Sequence, residues 1–140
     1  MSQLDPITLQ VLIGGLRAAC EEMGAVLIRS AYSANIKERH DCSTALFDAA
    51  GELVMQAEHI PVHLGSMPDA VRAVVKAFEG DVHDGDVYIH NDPYFGGSHL
   101  PDVNVVRPAF HDGKLLGFAC LRAHWPDIGS ATPGSYGAVT

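Results

Sequence analysis

A histidine and an aspartate three residues apart, His99 and Asp102, end the stretch Asn91-Asp92-Pro93-Tyr94-Phe95-Gly96-Gly97-Ser98-His99-Leu100-Pro101-Asp102. Imidazole nitrogen and carboxylate oxygen both bind borderline metals. The Gly-Gly pair and the two prolines suit a loop of fixed shape whose backbone can come close to a ligand. A second polar run, Arg122-Ala123-His124-Trp125-Pro126-Asp127, brings another imidazole, and Asp41 stands just before an expected strand. Asp41, His99, Asp102 and His124 together offer two nitrogens and two oxygens. That set suits zinc, manganese or ferrous iron better than calcium or magnesium, which prefer all-oxygen cages. The same residues can instead form a hydrogen-bonded cluster that braces the loop, and spacing alone leaves both uses open. Asn91, Asp92 and Asp127 are candidates for orienting the histidines from behind, with a plain Asx turn as the other use of Asn91-Asp92-Pro93.

Other chemistries have less behind them. Ser98 precedes His99, but there is no GxSxG elbow, and nothing near Cys42 would make it a thiolate. There is no GxxxxGK[ST] loop, so the sequence shows no site for ATP phosphates. His59 and His63 are four apart, but Pro61 between them works against a helical metal pair.

These residues need elements to carry them. Asp5-Pro6 is a helix start, with Asp5 as the cap and Pro6 at the first helical position. Leu9, Leu12, Leu16, Ala19, Met23 and Val26 follow as an apolar stripe, predicting a core-packing helix to about residue 31. Gly14-Gly15 within it predicts a close neighbour. Thr44–Asp48 and Glu52–Gln56 around Ala49-Ala50-Gly51 read as a β-hairpin with Gly51 left-handed. Ser66 and Asp69 form a capping-box start to a second helix with Val71, Val74, Val75 and Phe78 inward, ending at Gly80. Val87–Ile89 is a short strand feeding the loop, and 102–110 and 114–124 are two long strands around His111-Asp112-Gly113. A two-residue Asp112-Gly113 turn would put Asp102 and His124 on opposite faces. A three-residue loop sets Asp102 opposite Arg122 and diagonal to His124, on one face, and is the prediction if the two share a site. The fold class is α+β: a long N-terminal helix, hairpins in a largely antiparallel sheet and a second helix packed on it.

At 140 residues, 47% hydrophobic and 19% charged, the chain has the composition of one globular domain or part of one. A net charge of −8 with only nine Lys and Arg argues against a nucleic-acid surface. No apolar run is long enough for a membrane span, and the first residues do not read as a signal peptide. The three cysteines lack CxxC spacing, so reduced thiols and a cytoplasmic location are expected. The last residues read as loop, which suggests a piece of a longer domain.

Residues 5–140 resemble the N-terminal portion of the hydantoinase B/5-oxoprolinase family, which includes the large subunit of acetone carboxylase. The resemblance rests on Asp5-Pro6-Ile7-Thr8, Ser30 to Arg39, Ala57 to Met67, and Asn91-Asp92-Pro93-Tyr94 with Gly96 to Asp102. Arg122-Ala123-His124 with Asp127-Ile128-Gly129, and Thr132 to Ser135, complete it. It implies a metal-dependent subunit of an ATP-coupled cyclic-amide hydrolase, opening a hydantoin, 5-oxoproline or lactam ring. A separate hydantoinase A-type subunit would bind ATP-Mg and phosphorylate the carbonyl oxygen. The family's metal site carries over onto Asp41, His99, Asp102 and His124. An ATP-dependent ketone carboxylase of the acetone carboxylase kind, or an inactive truncated remnant, are the alternatives. Family chains are several times longer, and Trp125-Pro126 is a local variation between His124 and Asp127.

Overall fold

The computed structural model of the chain describes residues 4–57 and 65–132. Helix α1 (Pro6–Ser30) begins as expected: the Asp5 carboxylate accepts from the backbone N–H groups of Ile7 and Thr8, both at 3.0 Å. A one-turn helix α2 (Ala34–Lys37) follows, then strands β1 (Cys42–Asp48) and β2 (Leu53–Ala57). Helix α3 (Met67–Ala77), a short strand β3 (Tyr88–His90), a 3₁₀ turn at Pro93–Phe95, and the long strands β4 (Asp102–His111) and β5 (Lys114–His124) complete the order. The five strands form one antiparallel sheet in the order β2-β1-β5-β4-β3.

Strand alternation divides the sheet into two faces. Ala45, Cys120, Val106 and Tyr88 lie across it in one row, and Phe47 and Phe118 are partners in the next. These rows pack under Met67, Val71 and Val74 of α3. Each such side chain contributes about 1.5–3 kcal/mol by leaving water. On the opposite face Cys42 and Ala123 meet Ile36 of α2 and Leu27, Ile28 and Ala31 near the end of α1. The Thr44 hydroxyl donates to the Cys20 carbonyl at 2.8 Å, pinning the middle of α1 to β1.

The stripe predicted for α1 is not the one the fold buries. Leu9, Leu12 and Val26 are exposed, whereas Cys20 and Gly24 are buried. The helix is apolar on more than one side. Small residues let the Cys20–Gly24 side sit closer to the sheet than a row of leucines could. Gly14 and Gly15 have no neighbour within 4 Å of where a Cβ would stand, so the expected close crossing is absent among the described residues.

The β4–β5 register also differs from expectation. Asp112 (φ 48°) and Gly113 (φ 73°) make a two-residue turn, pairing His111 with Lys114 and Phe110 with Leu115. Ala109 then pairs with Gly117, leaving Leu116 as the extra residue of a bulge. The bulge shifts the ladder by one residue and sets Asp102 directly opposite His124. Gly117 belongs there for space: a Cβ on it would lie 2.0 Å from the Phe47 carbonyl oxygen.

Candidate functional site

On the face that α3 covers, the sheet changes character along its strands. Beyond the Val106–Cys120 row comes Ser43, Arg122, Asn104 and His90, and beyond that Asp102 with His124. Ser43, Asn104, Arg122 and Asp102 are all at most 2% exposed. A buried polar row beside an apolar core is stable only if its groups bond one another.

Asp102 is the centre of that bonding. Its Oδ1 lies 2.8 Å from His124 Nδ1, and its Oδ2 takes the Ser98 hydroxyl at 2.6 Å and lies 3.0 Å from His99 Nδ1. Burial alone would push its carboxyl up, but the hydrogen bonds from Ser98, His124 and His99 outweigh that and hold it at about 2. The carboxylate is therefore ionised and can only accept, so both imidazoles carry their proton on Nδ1. This is the arrangement in which a carboxylate fixes the tautomer of a histidine that serves a metal or a proton. The His124 side chain is 12% exposed and that of His99 58%, so one ring is sheltered and the other open to solvent.

Asp41 precedes β1 at the same end of the sheet. His40 takes a left-handed φ of 53°, and the Asp41 carbonyl accepts from the His124 backbone N–H at 3.1 Å. Asp41 and His124 are thus backbone neighbours. The four predicted ligands lie at one end of the sheet, and the side chains of Asp102, His99 and His124 meet within 3.0 Å. Their bonds are those of the hydrogen-bonded cluster left open above. Among the described residues no group of three His, Cys, Asp or Glu side chains is spaced as a metal cage. The donor types fit a divalent metal nonetheless: two imidazoles and two carboxylates, one of them held ionised.

The three residues expected to orient the histidines do local work instead. Asn91 Nδ2 donates to the Leu100 carbonyl at 2.9 Å, bracing the two ends of the loop. Asp92 caps the 3₁₀ turn through the Tyr94 N–H at 2.8 Å, and Asp127 accepts from the Gly129 N–H at 2.9 Å. Asp92 and Asp127 each accept from the backbone N–H two residues on, which for Asp92 is the Asx use foreseen for Asn91-Asp92-Pro93, whereas Asn91 bridges to a carbonyl nine residues away. The Gly-Gly pair likewise meets protein rather than ligand. A Cβ on Gly96 would lie 2.5 Å from the Asp69 carbonyl oxygen, and one on Gly97 2.6 Å from that of Asp92. The loop is thus seated on the start of α3. His59 and His63 lie outside the described residues.

Sequence reading passed over Ser98 as a partner of Asp102, and Asn104 altogether. The available signal was period two: residues 102, 104, 122 and 124 are polar in strands whose intervening residues are apolar. Ser66 precedes α3 but makes no side-chain cap; its hydroxyl accepts from Arg122 Nη1 instead. The thiols offer no nucleophile: burial raises Cys42, with Asp41 adding to it, and pushes Cys120 up to about 12.

Comparison with known proteins bears on the fold and the family. Residues 5–140 match the family described as Hydantoinase B/oxoprolinase. The chain is 45% identical over 134 residues to the 5-oxoprolinase of Dictyostelium discoideum, covering 96% of this chain and 11% of that protein. It is 39% identical to the caprolactamase subunit beta of Pseudomonas jessenii, covering 97% of this chain and 23% of the relative. The solved ATP-dependent caprolactamase from that organism superposes with a TM-score of 0.86 at 36% identity, over 96% of this chain and 23% of that one. A nucleotide-free acetone carboxylase superposes at 0.85 and 28% identity, over 94% of this chain and 18% of its own. The chain therefore spans between a tenth and a quarter of the relatives it matches. Among the described residues no helix is long and apolar enough to cross a membrane. With the fold and a match over residues 5–140 in agreement, the chain belongs to the hydantoinase B/oxoprolinase family.

Proposed function

We propose that this chain carries the ring-opening site of an ATP-coupled cyclic-amide hydrolase acting on a small hydantoin, 5-oxoproline or lactam. The observation that carries the reading is the buried, ionised Asp102 holding two imidazoles by Nδ1. Asp102 fixes the tautomer of each ring, and Ser98 keeps the carboxylate from turning. The sheltered His124 ring would bind or move a proton, and the exposed His99 closes the solvent side. Asp41, His99, Asp102 and His124 would hold a divalent zinc, manganese or iron once Asp102 exchanged its imidazole bonds for the ion, which would supply Lewis acidity to the reacting carbonyl.

ATP-Mg belongs in this reading to a separate A-type subunit, and a cytoplasmic complex of the two is the working form. Support for a partner comes from the relative named as subunit beta of a caprolactamase. A second reading, carboxylation of a ketone, is supported by the likeness to acetone carboxylase. One experiment separates them: the complete protein with its ATP-binding subunit, assayed on cyclic amides and on ketones with and without bicarbonate. The proposal expects bicarbonate-independent ring opening that His124→Ala abolishes. Full activity in that variant, or an absolute bicarbonate requirement, contradicts it.

A further inference from the structure

Arg122 is the largest fully buried side chain among the described residues, at 0% exposure. A buried guanidinium is costly unless its donors are matched. Here Nε donates to Asn104 Oδ1 at 2.7 Å and Nη1 to the Ser66 hydroxyl, while Nη2 has no partner among the described residues. No carboxylate of the described residues forms a salt bridge with it. Asp102, one ladder step away on the same face, supplies the nearest opposite charge. An ordinary core position would be filled better by an apolar residue. The arrangement makes sense by what the two bonds position.

Because Arg122 donates to Asn104 Oδ1, the Asn104 amide must turn its Nδ2 outward, and that nitrogen donates to the His90 carbonyl at 3.0 Å. His90 ends β3, one residue before the site loop, and its Nε2 lies 2.8 Å from the Phe95 carbonyl within that loop. On the other side, Ser66 stands at the start of α3, the helix whose Asp69 backbone seats Gly96. Both supports of the 91–102 loop, its entry from β3 and its seat on α3, thus run back to one guanidinium. The loop carries Ser98 and His99.

We propose that Arg122 is a positioning residue of this site: through Asn104 and Ser66 it places the loop so that His99 and Ser98 reach Asp102. The inference rests on reading His99, Asp102 and His124 as the functional cluster. It makes a selective demand, because His124 is carried by the strand itself and needs no such support.

The test is histidine side-chain NMR of the full chain with two variants. Arg122→Lys removes the fork that bonds Asn104 and Ser66 together. Asn104→Asp keeps an acceptor for Arg122 but cannot donate to the His90 carbonyl. In both, the His99 ring should lose its Nδ1–H preference and move to the values of a free imidazole, while the His124 ring stays unchanged. Circular dichroism confirms folding, and Asn104→Asp decides alone if Arg122→Lys does not fold. An unchanged His99 ring, or equal changes in both rings, overturns the proposal. The spectra are recorded on protein stripped of metal with a chelator, so neither metal nor turnover enters this readout and the fate of the hydrolase reading is decided separately.

Discussion

The two halves of the Asp102 cluster are held by different physics. Asp102 and His124 face each other across a ladder, with their backbones fixed by strand pairing and Asp102 buried to 2% exposure. Ser98 and His99 come from a loop held by side-chain bonds to backbone, a left-handed glycine and close contact with α3. Strand register is shared among many hydrogen bonds and changes only in whole steps. A loop fixed by a few local bonds can shift by fractions of an ångström. The strand half is therefore the foundation of the site, and the loop half is its adjustable part.

The comparison is broken most severely at Asp102. Replacing it with alanine strips three donors of their acceptor in a buried setting, and should cost about 3 kcal/mol or more in urea unfolding. The same group sets an acid limit. Its folded pKa of about 2 lies below the ordinary value near ~3.9, so its stabilisation is complete above about pH 4 and lost as pH falls through about 2. Asp102→Asn should flatten that part of the stability–pH curve, and an unchanged slope would mean the carboxylate is not held as described.

Within the strand half, His124→Ala removes a sheltered donor to a charged acceptor and should cost about 2 kcal/mol. In the loop, Gly96→Ala places a side chain at φ 89° and against the Asp69 carbonyl, with an expected loss of about 1–2 kcal/mol. His99→Ala should cost less than about 1 kcal/mol, because its ring is more than half exposed. Thermal denaturation of the three variants ranks them directly. A His99 effect as large as that of His124 would erase the distinction between the two halves.

Much of this was legible in the sequence, in particular places. Asp5-Pro6, Ala49-Ala50-Gly51 and Asp112-Gly113 announced the start of α1 and both long hairpins, because each of those signals is local. The buried side of α1 was not legible, since the helix carries two apolar stripes and only the sheet chooses between them. The bulge at Leu116 was hidden as well: nothing in Leu115-Leu116-Gly117 demands it until Gly117 must pass the Phe47 carbonyl. That bulge is also why the three-residue loop was not needed to bring Asp102 and His124 to one face. In the site, the titratable residues stood out by type, whereas Ser98, Asn104 and Ser66 are ordinary polar residues whose roles exist only through their partners.

The central claim is that this strand-end cluster is built to hold a divalent metal. Elemental analysis of the purified protein by mass spectrometry, beside its His99→Ala and His124→Ala variants, tests it most directly. The account predicts stoichiometric zinc, manganese or iron in the native protein and its loss in both variants while they remain folded. A folded native protein that takes up none of the three ions when they are supplied would contradict it, and would leave Asp102 as the keystone of a purely structural cluster.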